Sequence, residues 1–272
     1  MTDLAAPPGA TVPPVAIVTG ASAGLGLAIA RRLAQDGHRL ALAARRIGPL
    51  QAAAEEIGAA GPCGEATCLA LPADVTDQGQ VDGLVGETLA RFARIDVLVN
   101  CAANPSGVTG PVEQIDAEAV LQDLNTKVVG YLRCAKAVAP AMKRQGAGRI
   151  VNIGGLTGRS SETLSGLRNV AVSHLTKTLS DQLGPFGITV NAVHPGIVRT
   201  PHLDELFQEQ ADAAGRSPGE IEAEFVARIP LRRVLDPADI ASAVAFLISP
   251  AAAAITGESL TVDGGFSRGV YL

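Results

Sequence analysis

The sequence contains no tryptophan, and only 3% of its 272 residues are aromatic. A nucleic-acid surface of basic residues interleaved with aromatic rings is therefore not expected. A net charge of -5 gives no general attraction for phosphate backbones either. Long apolar runs are lacking too. The longest are of strand length, short of the roughly 20 residues that a membrane-spanning helix needs. No basic start followed by an apolar block opens the chain, so no secretion signal is read there. Cysteine is scarce. Cys63, Cys68, Cys101 and Cys134 form no Cys-x-x-Cys pair, and no histidine stands at metal-ligand spacing from them. The expectation is reduced thiols, a cytoplasmic protein and no metal.

What is present suits one large core, with 47% hydrophobic and 18% charged residues. Met1 to Pro13, rich in Ala, Pro and Gly, is expected to form a mobile tail, and residues 14–272 a single domain. Apolar strand-length runs alternate with amphipathic helix-length segments. This is the pattern of an α/β, doubly wound parallel sheet with helices on both faces. Strands are predicted at Val15 to Val18, Leu40 to Ala44, Thr67 to Pro72, Val97 to Val99, Arg149 to Ile153, Thr189 to Val193 and Ser259 to Val262. A long helical stretch is predicted from Ala117 to Arg144, with a bend at Gly130 or Pro140, and another helix from Ser165 to Leu183. Between Thr200 and Pro230 the pattern turns polar. It reads either as a solvated helical surface or as a mobile cover over a substrate pocket.

Gly20, Gly24 and Gly26 fall between the first strand and the first helix. Side chains there would hold a pyrophosphate away from the backbone N–H groups at the positive helix end, so glycines in this setting point to nucleotide binding.

The spacing Thr19-Gly20-Ala21-Ser22-Ala23-Gly24-Leu25-Gly26 resembles the fingerprint of the short-chain dehydrogenase/reductase family. The resemblance continues from Val15 to Phe266, through Ala73-Asp74-Val75, Asn100-Cys101-Ala102-Ala103, Gly148 to Ile153, Asn191 to Gly196, Arg199-Thr200-Pro201, Thr256-Gly257 and Val262 to Gly265. It implies a dinucleotide held by Gly20, Ser22, Gly24, Leu25 and Gly26, with Asp74 and Val75 at the adenine. Asn100 would also bind the cofactor, and Pro195, Gly196, Val198 and Thr200 would lie on the nicotinamide side. It also implies a small-molecule substrate and a homo-oligomer, most often a tetramer. At the end of the second strand, Ala44-Arg45-Arg46 stands where a carboxylate would repel a 2′-phosphate. Arg45 offers a fork of donors to that phosphate, which predicts NADP(H).

In the family a serine, a tyrosine and a lysine act together with an asparagine from the preceding helix. Asn125 matches the asparagine. Alignment through Leu175-Thr176-Lys177 puts Ser165 at the tyrosine position and Asn169 at the lysine position, while Gly154-Gly155 falls where the serine is expected. The chain is thus read as a divergent member without the Tyr-x-x-x-Lys pair. Of its two tyrosines, Tyr131 reads as core packing and Tyr271 lies by the C-terminus. Ser165 and Asn169 share one helical face beside Asn125, and Arg168 is expected to point about 100° away from them. His194 is an alternative acid, because imidazole titrates near neutrality. Thr157, Ser160 and Ser161 offer hydroxyls in a shortened loop. Three functions stay open: a rearranged oxidoreductase, an inactive nucleotide-binding partner or sensor, and an isomerase or dehydratase that reuses the pocket.

Overall fold

The computed structural model describes residues 12–60, 67–104, 107–156 and 163–269. Cys63, Thr157, Ser160, Ser161, Tyr271 and nearly all of the expected tail lie outside them. Seven parallel strands form one sheet in the order β3-β2-β1-β4-β5-β6-β7. They are β1 (Val15–Thr19), β2 (Arg39–Ala44), β3 (Cys68–Pro72), β4 (Val97–Asn100), β5 (Gly148–Ile153), β6 (Ile188–Pro195) and β7 (Ser259–Val262). The helices are α1 (Gly24–Gln35), α2 (Ile47–Ala60), α3 (Gln78–Phe92), α4 (Ala117–Leu124), α5 (Gly130–Gln145), α6 (Ser165–Leu183), α7 (Pro201–Ala214), α8 (Pro218–Arg228) and α9 (Pro237–Ile248).

Successive strand residues point to opposite faces, so one apolar run feeds two cores. Ala16, Val18, Leu40 and Leu42 pack with Ile29 and Leu33 of α1, Leu50 of α2 and Val244 of α9. Ile17, Ala41 and Ala43 face the other way, with Leu84 of α3, Val138 and Met142 of α5 and Leu179 of α6. Strand order reverses between β1 and β4, and the crevice outside the carboxyl ends of these strands is where open α/β sheets bind ligands.

The long helix expected from Ala117 to Arg144 is interrupted. Asn125–Val129 forms a π-helical turn between α4 and α5. The break comes immediately before Gly130, whose backbone presses on β3's exit: a Cβ there would stand 2.9 Å from Val75 Cγ2. Lys127, within this turn, is buried, on the same stripe as Asp123 four residues before it and Tyr131 four after. Pro140 lies within α5, its missing N–H accommodated without ending the helix.

The polar segment after β6 folds as two helices on each other. Leu203, Phe207 and Ala211 of α7 pack with Ile221 of α8, and the Phe207 and Phe225 rings lie 5.3 Å apart. Ser217 and Glu220 form a reciprocal capping box at the start of α8.

Candidate functional site

The first strand ends at Thr19 and the chain turns through Gly20 at φ 68° and Gly24 at φ 55°, the left-handed region that disfavours side chains. A Cβ on Gly26 would lie 2.2 Å from the Gly20 carbonyl oxygen, so the turn closes only around a glycine. Above Gly24 the space is open: a Cβ there would meet nothing within 4 Å. Ala23, preceding helix α1, provides no side-chain cap, so the first N–H groups of the helix are left without a side-chain acceptor from it. Ser22 and Leu25 are half-buried at the rim of the open space. These residues fit an anionic pyrophosphate. Arg45 is exposed directly after the end of β2.

The rest of the crevice is set by polar contacts between strand ends. Thr19 Oγ1 accepts from the Cys101 N–H at 3.0 Å and the Ala102 N–H at 3.2 Å, joining β1 to the exit of β4. Asn100 Nδ2 donates to Asn152 Oδ1 at 2.9 Å, and Asn152 Nδ2 donates to Thr176 Oγ1 at 2.9 Å. This chain ties β4, β5 and α6 together. Sequence reasoning missed Asn152 and Thr176 as positioning residues, because their partners are distant in the chain. Asp74 Oδ1 accepts from the Thr76 N–H at 2.9 Å and so shapes the turn that presents Val75. Gly196 lies against Asp263, where a Cβ would come within 2.6 Å of its Cα. Val198 is buried and bridges to Leu235, and Thr200 caps α7 by accepting from the Leu203 N–H.

Ser165 and Asn169 are both buried, one turn apart on α6. Ser165 Oγ accepts from the Val108 N–H at 2.9 Å, so the β4–α4 connection covers it. Asn169 packs against Gly155, where a Cβ would stand 2.9 Å from its Nδ2. His194 is buried behind them, with Nε2 3.0 Å from Ser173 Oγ and Nδ1 3.2 Å from both the Gly155 N and O atoms. Its ring supports the bend after β5, and a Cβ on Gly154 would lie 2.3 Å from Nδ1. Asn125 is half-buried, and its Oδ1 accepts from Arg133 Nη2 at 3.0 Å on the α5 side. Tyr131 is fully buried and donates its hydroxyl to the Ile153 carbonyl at 2.9 Å, as a core residue would. Burial pushes its phenol well above the ordinary value.

Two charged groups enter the site unannounced by the sequence. Arg168 is buried, pairs with Asp123 of α4 and donates to the Asn104 carbonyl at 3.0 Å. It turns from the Ser165–Asn169 face into the α4–α6 contact and becomes interior there. Lys127 is also buried, and its Nζ donates to the Gly154 carbonyl at 2.8 Å. Burial, and then the Arg168 guanidinium, push its pKa down from 10.5 to about 7, against the opposing pull of Cys101 and Asp123.

A glycine cradle at the switch point of a doubly wound parallel sheet, beside a buried polar cluster on α6, defines a nucleotide-binding protein of the dehydrogenase type. The family model described as enoyl-(acyl carrier protein) reductase matches residues 20–267. A putative ketoacyl reductase of Streptomyces coelicolor is 37% identical over 260 residues, covering 93% of this chain and 97% of that protein. An NADPH-bound variant of the actinorhodin polyketide ketoreductase superimposes with a TM-score of 0.85 at 35% identity, covering 94% of this chain and 98% of the other. L-sorbose reductase from Gluconobacter frateurii, complexed with NADPH and L-sorbose, gives a TM-score of 0.89 at 26% identity, with coverage of 95% and 98%. The chain belongs to the short-chain dehydrogenase/reductase family.

Proposed function

We propose that this protein is an NADP(H)-dependent oxidoreductase acting on a carbonyl or its alcohol through a rearranged proton-transfer site, without the Tyr-x-x-x-Lys pair. One observation carries the reading: the open glycine cradle leads into a crevice where Asn169 stands against Gly155 and Ser165 heads the same helix. The N–H groups at the start of α1, with Ser22 and Leu25 at the rim, hold the pyrophosphate, and Arg45 pairs with the 2′-phosphate. Asp74 and Val75 border the adenine, while Asn100, Pro195, Gly196, Val198 and Thr200 shape the nicotinamide side. When bound, the nicotinamide supplies the hydride chemistry. Ser165 and Asn169 offer hydrogen bonds to the ribose or to a substrate oxygen. Asn125 contributes as the first residue of the π turn. His194, the alternative acid, holds the Gly154–Gly155 bend.

Helices α7 and α8 serve as the substrate cover. Leu121, Val129, Leu132, Leu167 and Val170, exposed on α4, the π turn, α5 and α6, support a homotetramer paired through these helices. Light scattering giving a monomer mass would reject that assembly. The Cys68 and Cys134 thiols, which burial pushes up to about 12, support a reduced state in the cytoplasm.

Titration with NADPH and NADH, followed by a carbonyl panel read at the nicotinamide absorbance, tests the function. The likeness to ketoacyl reductases puts 3-ketoacyl thioesters first in the panel. NADPH binding with turnover supports the proposal. Binding without turnover favours a nucleotide-binding partner or sensor, a reading that the Val108 N–H already seated on Ser165 Oγ supports. Substrate conversion without nicotinamide oxidation would instead indicate an isomerase or dehydratase.

A further inference from the structure

Within the π turn, Lys127 reaches the carboxyl ends of β4 and β5 from the helical segment preceding α6. Lys127 Nζ lies on the Gly154 carbonyl, one residue from the Gly155–Asn169 contact. Every element packed around it brings a charged or titratable group. These are Cys101 from the exit of β4, Asp123 from α4, Tyr131 from α5, Arg168 from α6, and His194 from β6 behind the glycines. The one carboxylate among these groups, Asp123, is engaged by Arg168, and among the described residues Lys127 has no ion pair of its own. Burying an ammonium is costly, which packing alone does not require of this position. An unactivated serine and an amide on α6 cannot release a proton at neutral pH, whereas an ammonium can.

We propose that Lys127 Nζ is the proton donor of this site. The assignment rests on the reductase reading given above. The carbonyl carbon gains hydride from the reduced cofactor and the C=O π pair moves to oxygen. That oxygen takes a proton from Nζ, giving the alcohol and the oxidised cofactor. The neutral amine left behind recovers a proton from water. Burial, by lowering the Lys127 pKa to about 7, makes that proton available at neutrality.

Two measurements test it. The first is a titration of isotope-labelled lysine in the cofactor-free protein, with the Lys127 signal assigned from its loss in Lys127→Arg. A midpoint near 7 is expected, and one near the ordinary 10.5 overturns the proposal. The second uses Lys127→Ala. NADPH affinity should be retained, while carbonyl reduction should fall by about 10²-fold or more. Small amines added to the medium should restore part of the rate, and Lys127→Arg, which keeps the charge but holds its proton, should stay slow. If Lys127→Ala does not fold, Lys127→Met takes its place. A wild-type protein that reduces a carbonyl while the variant does so equally fast overturns the role of Lys127 alone. A wild type that binds NADPH and reduces nothing overturns the reductase reading, and this role with it.

Discussion

Gly155 and Asn169 are in direct contact across the β5–α6 junction: a Cβ on the glycine would approach the asparagine Nδ2 to 2.9 Å and Cγ to 3.3 Å. The absence of a side chain on one is therefore matched to the amide on the other. A serine at 155 needs the amide to move. At the head of α6 the restriction is firmer, because a Cβ on Gly107 would lie 2.2 Å from Ser165 Oγ.

Installing a tyrosine at position 165 accordingly requires more than a side-chain exchange. Ser165→Tyr would drive a phenol into the backbone at Gly107 and Val108, and is expected to cost about 1–3 kcal/mol as overpacking. Adding Asn169→Lys and Gly155→Ser should relieve the second contact but not the first. Urea denaturation measures the cost, and a Ser165→Tyr variant of unchanged stability would show that this connection yields freely. Ser165→Ala should have only a modest effect on native activity. A loss of several orders of magnitude at intact cofactor affinity would make Ser165 itself the chemical group.

Gly24→Val should remove dinucleotide binding while the chain stays folded. The open space above Gly24 means no steric clash within the protein, so the penalty is its φ of 55°, about 1–2 kcal/mol for a side chain. The new isopropyl group would occupy the approach to the α1 N–H groups. Circular dichroism with an NADPH titration separates these effects, and full affinity in a folded variant would rule out the cradle.

Arg45→Asp should swing the preference from NADPH toward NADH. The exposed guanidinium at the tip of β2 would be replaced by a charge that repels a 2′-phosphate and accepts from ribose hydroxyls. The quantity to follow is the ratio of the two dissociation constants before and after substitution. An unchanged ratio would remove Arg45 from the cofactor site.

Lys127 makes stability depend on pH with a defined sign. Between about 7 in the folded chain and the ordinary 10.5, the unfolded chain holds a proton that the folded chain has released. Stability therefore rises with pH across this window, by up to about 1.4 kcal/mol per pH unit, and the burden of the buried ammonium is fully present below it. Lys127→Met should be the more stable protein at neutral pH, with the difference shrinking as pH rises toward 10.5. Parallel stability–pH curves for the two proteins would contradict the depressed value.

Much of the scaffold was legible because its signals are local. The alternation in Val15–Thr19 and the glycines of the following turn each carry their own physical reason within a few residues. Ser165 and Asn169 could likewise be placed on one helix face from spacing alone. Lys127 could not. Its spacing of four from Asp123 and four from Tyr131 puts it on the buried stripe, but a lysine carries no apolar signal of burial. The Arg168–Asp123 pair was hidden for a different reason: the partners are 45 residues apart and meet only after α4 and α6 pack. The Val108 N–H on Ser165 is of the same kind, a backbone contact with no side-chain signature.

The uncapped start of α1 has a thermal consequence. A helix whose first amides have no side-chain acceptor is left electrically unfinished, and an anion docking there completes it. Nucleotide should then raise the melting temperature in proportion to the logarithm of its concentration, whether or not any substrate is ever turned over. Heat resistance would register the arrival of the cofactor independently of chemistry.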